Sequence, residues 1–122
     1  MQFKDVELRY RKDTDLVLKG LSFSAGPGKK IGIVGRTGAG KSTIMMALSR
    51  LIELEAGQIL IDGVDIASID LVTLRQKITF IPQDPCLFTG TLRYNIDPFG
   101  RFTDEEIDTL VRRVGLSNVL AR

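Results

Sequence analysis

The eight residues Gly35-Arg36-Thr37-Gly38-Ala39-Gly40-Lys41-Ser42 constrain this chain more than any other stretch. They match the pattern G-x-x-x-x-G-K-[ST] in full. The pattern is informative only between a buried strand and a helix, and both neighbours read that way. Before it stands Lys30-Ile31-Gly32-Ile33-Val34, short and nearly continuous in apolar residues, as in a parallel-sheet strand buried on both faces. After it, Ile44, Leu48, Leu51 and Ile52 recur at i, i+4, i+7 and i+8, one stripe of a helix.

That setting predicts a phosphate nest. Glycines let the main chain from Gly35 through Thr37, Gly38, Ala39 and Gly40 curl until successive N–H groups converge on one anion. The helix that follows adds its unpaired first amides and the positive end of its dipole. Lys41 is placed to reach the β- and γ-phosphates of ATP, the Ser42 hydroxyl to ligate Mg²⁺, and the Thr43 hydroxyl to lie beside the α-phosphate. The bland alternative is a glycine-rich turn with an incidental lysine; the strand before it and the helix after it disfavour that.

Around this motif the chain alternates between two kinds of strand signal. Residues 3–10 place Val6, Leu8 and Tyr10 on one face and Glu7 and Arg9 on the other, the period of a half-buried strand. Leu21 and Phe23 interleave with Ser22 and Ser24 in a second such stretch, and the two pair most simply antiparallel. Gln58–Ile61 is a strand candidate closed by the turn Asp62-Gly63. Asp70 is placed to cap a short helix through Leu71, Leu74 and Arg75, which leads into a second apolar strand, Ile78 to Ile81. Pro82 and Pro85 stop that strand, so 82–90 is expected to be a loop. Thr103 and Glu106 form a capping box before a helix with the stripe Ile107, Leu110, Val111 and Val114, ended by Gly115. A further helix reads as opening toward Ala121-Arg122, where the chain looks stopped rather than finished.

Composition excludes several functions. A net charge of +2, with charges interspersed, gives no footprint for nucleic acid or an anionic membrane, so no nucleic-acid binding is expected. The single cysteine, Cys86, cannot form an intrachain disulfide, and the chain has no histidine for a Cys/His zinc site. Both suit a cytosolic location. Cys86 reads as a small apolar filler in its loop. No run approaches the ~18 apolar residues of a membrane span, and the first residues lack the apolar core of a signal peptide.

Several blocks together carry a family resemblance. Gly35 to Thr43, then Ile81-Pro82-Gln83-Asp84-Pro85 and Leu87-Phe88, resemble the Walker A and Q-loop of ABC-transporter ATPase domains. Asn95-Ile96-Asp97-Pro98-Phe99 and Leu8-Arg9-Tyr10-Arg11 narrow the likeness to the second nucleotide-binding domain of the multidrug-resistance-associated (C) subfamily. The resemblance spans essentially the whole chain. It implies an α/β P-loop NTPase fold of ABC type: an antiparallel β subdomain plus a parallel-sheet core with flanking helices, incomplete at the C-terminus. Residues 1–122 are then the N-terminal part of one such domain.

The same likeness assigns roles. Tyr10 corresponds to the aromatic that stacks on adenine; on the residues alone an ordinary strand tyrosine packing inward is the favoured reading, and the likeness reverses that. Gln83 corresponds to the Q-loop glutamine that approaches Mg²⁺ and the attacking water; on the residues alone it is a solvated turn residue. Implied partners are a transmembrane domain touching the Q-loop region and a second nucleotide-binding domain, which places the chain at the cytoplasmic face of a membrane within a transporter.

Hydrolysis needs more than a phosphate cradle: a carboxylate helping to hold Mg²⁺, a group to orient water, and added charge stabilisation. In the family these come from a Walker B Asp-Glu, a switch histidine and a signature sequence, none of which is present here. Ile59-Leu60-Ile61-Asp62 mimics Walker B, but Gly63 stands where the glutamate belongs, and the segment falls where the family has an antiparallel strand. Two functions follow: the ATPase module of an exporter, or an ATP-binding or regulatory module without turnover of its own. By itself the chain is expected to bind ATP weakly and to turn over negligibly.

Overall fold

The structure, a computed structural model, describes residues 1–119, in two compact units that meet in sequence at Phe80 and Ile81. The first is built on a four-stranded antiparallel sheet. β1 (Gln2–Leu8) lies between β2 (Leu18–Ser24) and β3 (Ala56–Ile61), and the two-residue β4 (Val64–Asp65) closes the far edge. Asp62-Gly63 forms the β3–β4 hairpin turn with both residues at positive φ, 51° and 83°, the backbone that a two-residue hairpin loop favours.

β1 departs from simple alternation. Both of its ladders show one extra residue between Phe3 or Lys4 and the pairs that follow. Asp5 takes up this bulge at φ 46°. An extra residue resets the side-chain parity, so Phe3 turns to the same buried face as Val6 and Leu8. The Phe3 ring stacks on that of its β2 partner Phe23, with centroids 4.5 Å apart. Asp5 and Ser22 lock the bulge: the Asp5 amide donates to Ser22 Oγ at 2.8 Å, and that hydroxyl donates to Asp5 Oδ1 at 2.9 Å.

α1 (Lys41–Leu48) lays Ile44 and Ala47 on the sheet residues Phe3, Val6, Leu8, Leu18 and Ile59. It is shorter than its stripe suggests. Ser49 is the C-cap and Arg50 turns to φ 48°, so Leu51 falls beyond the helix and is exposed, while Ile52 still packs at the edge of the core. Two arginines fix this end. Arg50 Nη1 donates to the carbonyls of Ile66 and Ile69 at 3.0 and 2.8 Å, and Arg75 donates to those of Ser49 and Arg50 at 3.1 and 2.9 Å. Carbonyls left over at a helix C-terminus need such donors. Arg75 belongs to α2 (Leu71–Lys77), capped by Asp70, which accepts from the Thr73 amide at 2.9 Å; Leu74 reaches the core.

The two parallel strands expected from sequence do not form among the described residues. Lys30–Val34 and 78–81 carry no ladder pairing, and Ile31, Ile33, Val34, Phe80 and Ile81 are exposed; only Ile78 touches the core. Neither run pairs with an outer edge of this sheet, at β2 or β4, and an apolar run becomes a strand only where a partner takes up its N–H and C=O groups. β3, by contrast, pairs antiparallel with β1, so Ile59–Asp62 is a hairpin strand and not a Walker B strand.

The second unit begins at Ile81 and contains α3 (Leu92–Ile96) and α4 (Asp104–Arg113). Thr103 and Glu106 form the expected capping box. Gly115 sits at φ 77°, and its amide and that of Leu116 bond to the carbonyls of Arg112 and Val111, a Schellman ending. Only Ile107 and Val111 of the expected stripe are buried; Leu110 and Val114 are exposed. Ser117–Val119 form one 3₁₀ turn, and the rest of the helix opening expected toward Ala121-Arg122 lies outside the described residues.

α3 has no counterpart in the sequence reading, and its surroundings explain the Asn-Ile-Asp-Pro block. Asn95 clamps the backbone of Phe88 from both sides: its Oδ1 accepts the Phe88 amide at 2.7 Å, and its Nδ2 donates to the Phe88 carbonyl at 2.9 Å. Asp97 is buried and accepts the amides of Arg101 and Phe102 at 3.0 and 2.9 Å. Arg93 donates to Asp104 and to the Phe102 carbonyl.

Candidate functional site

The loop from Gly35 to Gly40 leads directly into α1. Gly40 is the N-cap at φ 91°, ψ 10°, and no side chain caps the helix. The backbone conformation at Gly40 favours glycine, and a Cβ there would come within 3.3 Å of the side-chain atoms Leu18 Cδ2 and Val17 Cγ1. The loop has little bonding of its own: Ala39 donates to the Arg36 carbonyl at 3.1 Å, within the turn through Thr37 and Gly38.

Ile44 is the first amide of the helix to find its acceptor, the Gly40 carbonyl at 3.2 Å. The amides of Lys41, Ser42 and Thr43 precede it and have no intrahelical partner. No acidic residue occupies the first turn. A cluster of unpaired donors at the positive end of a helix, with no carboxylate of its own to occupy it, fits an anion such as a phosphate chain.

Lys41 supplies the mobile charge. Its Nζ folds back onto the loop, donating to the carbonyls of Gly35 at 2.5 Å and Arg36 at 2.8 Å. Carbonyl oxygens hold an ammonium without neutralising it, and among the described residues Lys41 makes no ion pair. Ser42 is exposed, its hydroxyl open to solvent at the helix start. Thr43 is 2% exposed, and its Oγ1 lies 2.7 Å from the hydroxyl of Tyr10. Tyr10 stands just past the end of β1 and is half exposed, rather than packed inward as a strand tyrosine would be.

The structure therefore gathers Tyr10 and residues 35–43 in one unit. Gln83 belongs to the other; it is exposed in the loop after Ile81-Pro82. Cys86 in that loop is exposed as well, so it fills no gap in the packing. The hydroxyl pair Tyr10–Thr43 was not legible from sequence, since 33 residues separate them. Among the described residues no three His, Cys, Asp or Glu side chains gather as a metal site. The oxygen donors present, chiefly Ser42, suit an ion that arrives on a phosphate chain and keeps several waters, as Mg²⁺ does.

The ABC transporter family model matches residues 18–122 of this chain. The chain belongs to the ABC transporter family. Several of its relatives are named as members of the C subfamily. ATP-binding cassette sub-family C member 2 of Homo sapiens is 57% identical over 107 residues, covering 88% of this chain and 7% of that protein. ABC transporter C family member 6 of Dictyostelium discoideum is 52% identical over 120 residues, 98% of this chain and 9% of the relative. The oligomycin resistance ATP-dependent permease of Saccharomyces cerevisiae is 58% identical over 111 residues, 90% and 8% respectively. The chain thus spans less than a tenth of the length of these relatives. Within the matched stretch the described residues show β2, β3 and β4 of the antiparallel sheet and the P-loop leading into α1. Among those residues no helix is long and apolar enough to cross a membrane.

Proposed function

We propose that this chain binds ATP with Mg²⁺ at Tyr10 and residues 35–43, as the N-terminal part of a nucleotide-binding domain that powers export by a C-subfamily transporter. The observation that carries this reading is the first turn of α1: three amides without intrahelical acceptors, no capping side chain, and a lysine held only by carbonyls. When a triphosphate enters, Lys41 exchanges the Gly35 and Arg36 carbonyls for phosphate oxygens. The backbone of Gly38, Ala39 and Gly40 wraps the chain, and Thr43 donates to the α-phosphate. The Tyr10 ring supports adenine by stacking, which gives affinity with little base discrimination. When bound, Mg²⁺ would offset charge on the phosphate chain, with Ser42 as its hydroxyl ligand; the family likeness gives Gln83 the Q-loop role.

Partners follow from the same reading: a transmembrane domain meeting the loop around Gln83, and a second nucleotide-binding domain facing the ATP. The name of the yeast relative, an ATP-dependent permease, supports the transport role. A specific feature also supports ATP binding without turnover by this polypeptide alone. Asp62 lies in a β3–β4 hairpin turn followed by Gly63, and the sequence has no histidine to orient water.

Isothermal titration of Mg²⁺·ATP into the chain tests the reading. Replacing Lys41 by Ala removes charge-assisted bonds worth about 1.5–3 kcal/mol, roughly ten- to a hundredfold in Kd. Unchanged affinity in that variant would refute the assigned phosphate contacts.

A further inference from the structure

Thr43 poses a hydrogen-bonding question that the phosphate nest does not answer. The residue is almost wholly covered, yet its hydroxyl must be satisfied both before and after a ligand arrives. The partner that the fold provides is the Tyr10 hydroxyl at 2.7 Å, a distance typical of a good O–H···O bond. The same hydroxyl also approaches Met46 Sδ at 3.8 Å, one turn further along α1. Tyr10 is thus tied by its tip to the helix that opens the nest, while half of its surface stays open.

The direction of the bond matters. The one phenolic proton has two acceptors in reach, and Thr43 Oγ1 at 2.7 Å is closer and stronger than Met46 Sδ at 3.8 Å; a phenol also donates better than an aliphatic alcohol, which makes Tyr10 the donor and Thr43 Oγ1 the acceptor. A hydroxyl that accepts from one side keeps its own proton for the other. Thr43 lies in the turn whose amides lack acceptors, so that proton is available to the anion those amides would hold.

We infer that Tyr10 is a positioning residue for the phosphate end of the site, through its hydroxyl, as well as a platform for the base. Its O–H donates to Thr43 Oγ1 and sets the Thr43 proton toward the nest. The base side and the phosphate side are thereby coupled by one hydrogen bond. The inference rests on the reading of residues 35–43 as a triphosphate nest.

Ring and hydroxyl can be separated experimentally. Tyr10→Phe keeps the stacking face and deletes the donor. Inorganic tripolyphosphate has the phosphate chain and no base, so stacking contributes nothing to its binding. Calorimetric titration of Mg²⁺·tripolyphosphate and Mg²⁺·ATP into the wild-type chain, Tyr10→Phe, Thr43→Val and the double variant decides the matter. Tyr10→Phe is expected to weaken tripolyphosphate about fivefold, the loss of one hydrogen bond, and to have no further effect once Thr43→Val is present. Hydrogen exchange of the α1 amides reports whether each variant keeps the helix. Should Thr43→Val lose it, Thr43→Ser replaces it, and there Tyr10→Phe retains its full fivefold effect. Unchanged tripolyphosphate affinity in Tyr10→Phe overturns the inference and leaves the nest standing. Failure of the wild-type chain to bind both ligands overturns the nest, and the inference with it.

Discussion

Gly57 of β3 packs flush against the backbone carbonyl of Asp5, the residue that forms the bulge in β1. A Cβ there would overlap the carbonyl oxygens of both Lys4 and Asp5, and Gly57 also sits at φ 83°. The bulge brings Phe3 and Val6 onto one face, so this contact between two backbones underlies the sheet side of the core beneath α1.

Gly57→Ala therefore combines left-handed strain with a collision against main chain that cannot swing aside. A loss of about 2–4 kcal/mol is expected in urea unfolding. Gly40→Ala is the comparison. Its φ of 91° is similar, but its added methyl meets the flexible tips of Leu18 and Val17 at 3.3 Å. It is expected to cost only the strain, about 1–2 kcal/mol, while weakening ATP binding more than stability. Equal stability losses in the two variants would show that strain alone governs both.

In the second unit the loop at Phe88 is held by one side chain. Asn95→Ala removes both bonds to the Phe88 backbone and the bond to the Thr91 carbonyl. Hydrogen exchange at the Phe88 amide is expected to accelerate by roughly tenfold, the loss of about one to two net hydrogen bonds. The Ile107 amide, bonded to Thr103 within α4, is the internal reference and should change little.

Acid sensitivity follows from Asp97. Amide donors from Arg101 and then Phe102 hold its carboxyl below the ordinary carboxylate range, assisted by the charges of Arg93 and Arg101. Hydrogen bonds from Thr73, first its side chain and then its amide, lower Asp70 in the same direction. With the folded pKa below the unfolded value, the unfolded chain binds more protons, so stability rises with pH across that interval. The contribution is complete above the unfolded pKa of about 4 and disappears as pH falls through the lowered folded value. Asp97→Asn is expected to be less stable than wild type at pH 6, with the gap closing under stronger acid. A gap that stays constant down to pH 2 would refute the assignment.

Local signals carried most of what sequence could reveal. The P-loop, the caps at Asp70 and Thr103, the Asp62-Gly63 turn and the antiparallel pairing are each specified within a few residues, because turn and cap chemistry is short-range. The Phe3 burial was not legible, since the bulge that inverts parity depends on Gly57, far along the chain. α3 was hidden because its apolar residues face outward and its stability comes from Thr91, Asn95 and Arg93 acting as caps and clamps. Of the candidate site, the loop and helix start at residues 35–43 are local and readable from spacing, whereas the approach of Tyr10 to Thr43 is purely tertiary.

Val34 offers the sharpest test of the difference between pattern and fold. Sequence patterning makes it the last residue of a strand buried on both faces; in the structure it is 98% exposed, at the end of a segment without strand partners. A buried valine truncated to alanine forfeits transfer energy and leaves a cavity, about 2 kcal/mol or more. A fully exposed one forfeits almost nothing, within about 0.5 kcal/mol. For the isolated chain Val34→Ala is expected to leave the unfolding midpoint unchanged. Val34→Lys, equally free of packing cost, should reduce self-association in sedimentation, because Ile31, Ile33 and Val34 form an open apolar run of the kind that pairs edge to edge. A loss of 2 kcal/mol in the alanine variant would mean that this segment is buried in solution, with a strand partner on each side.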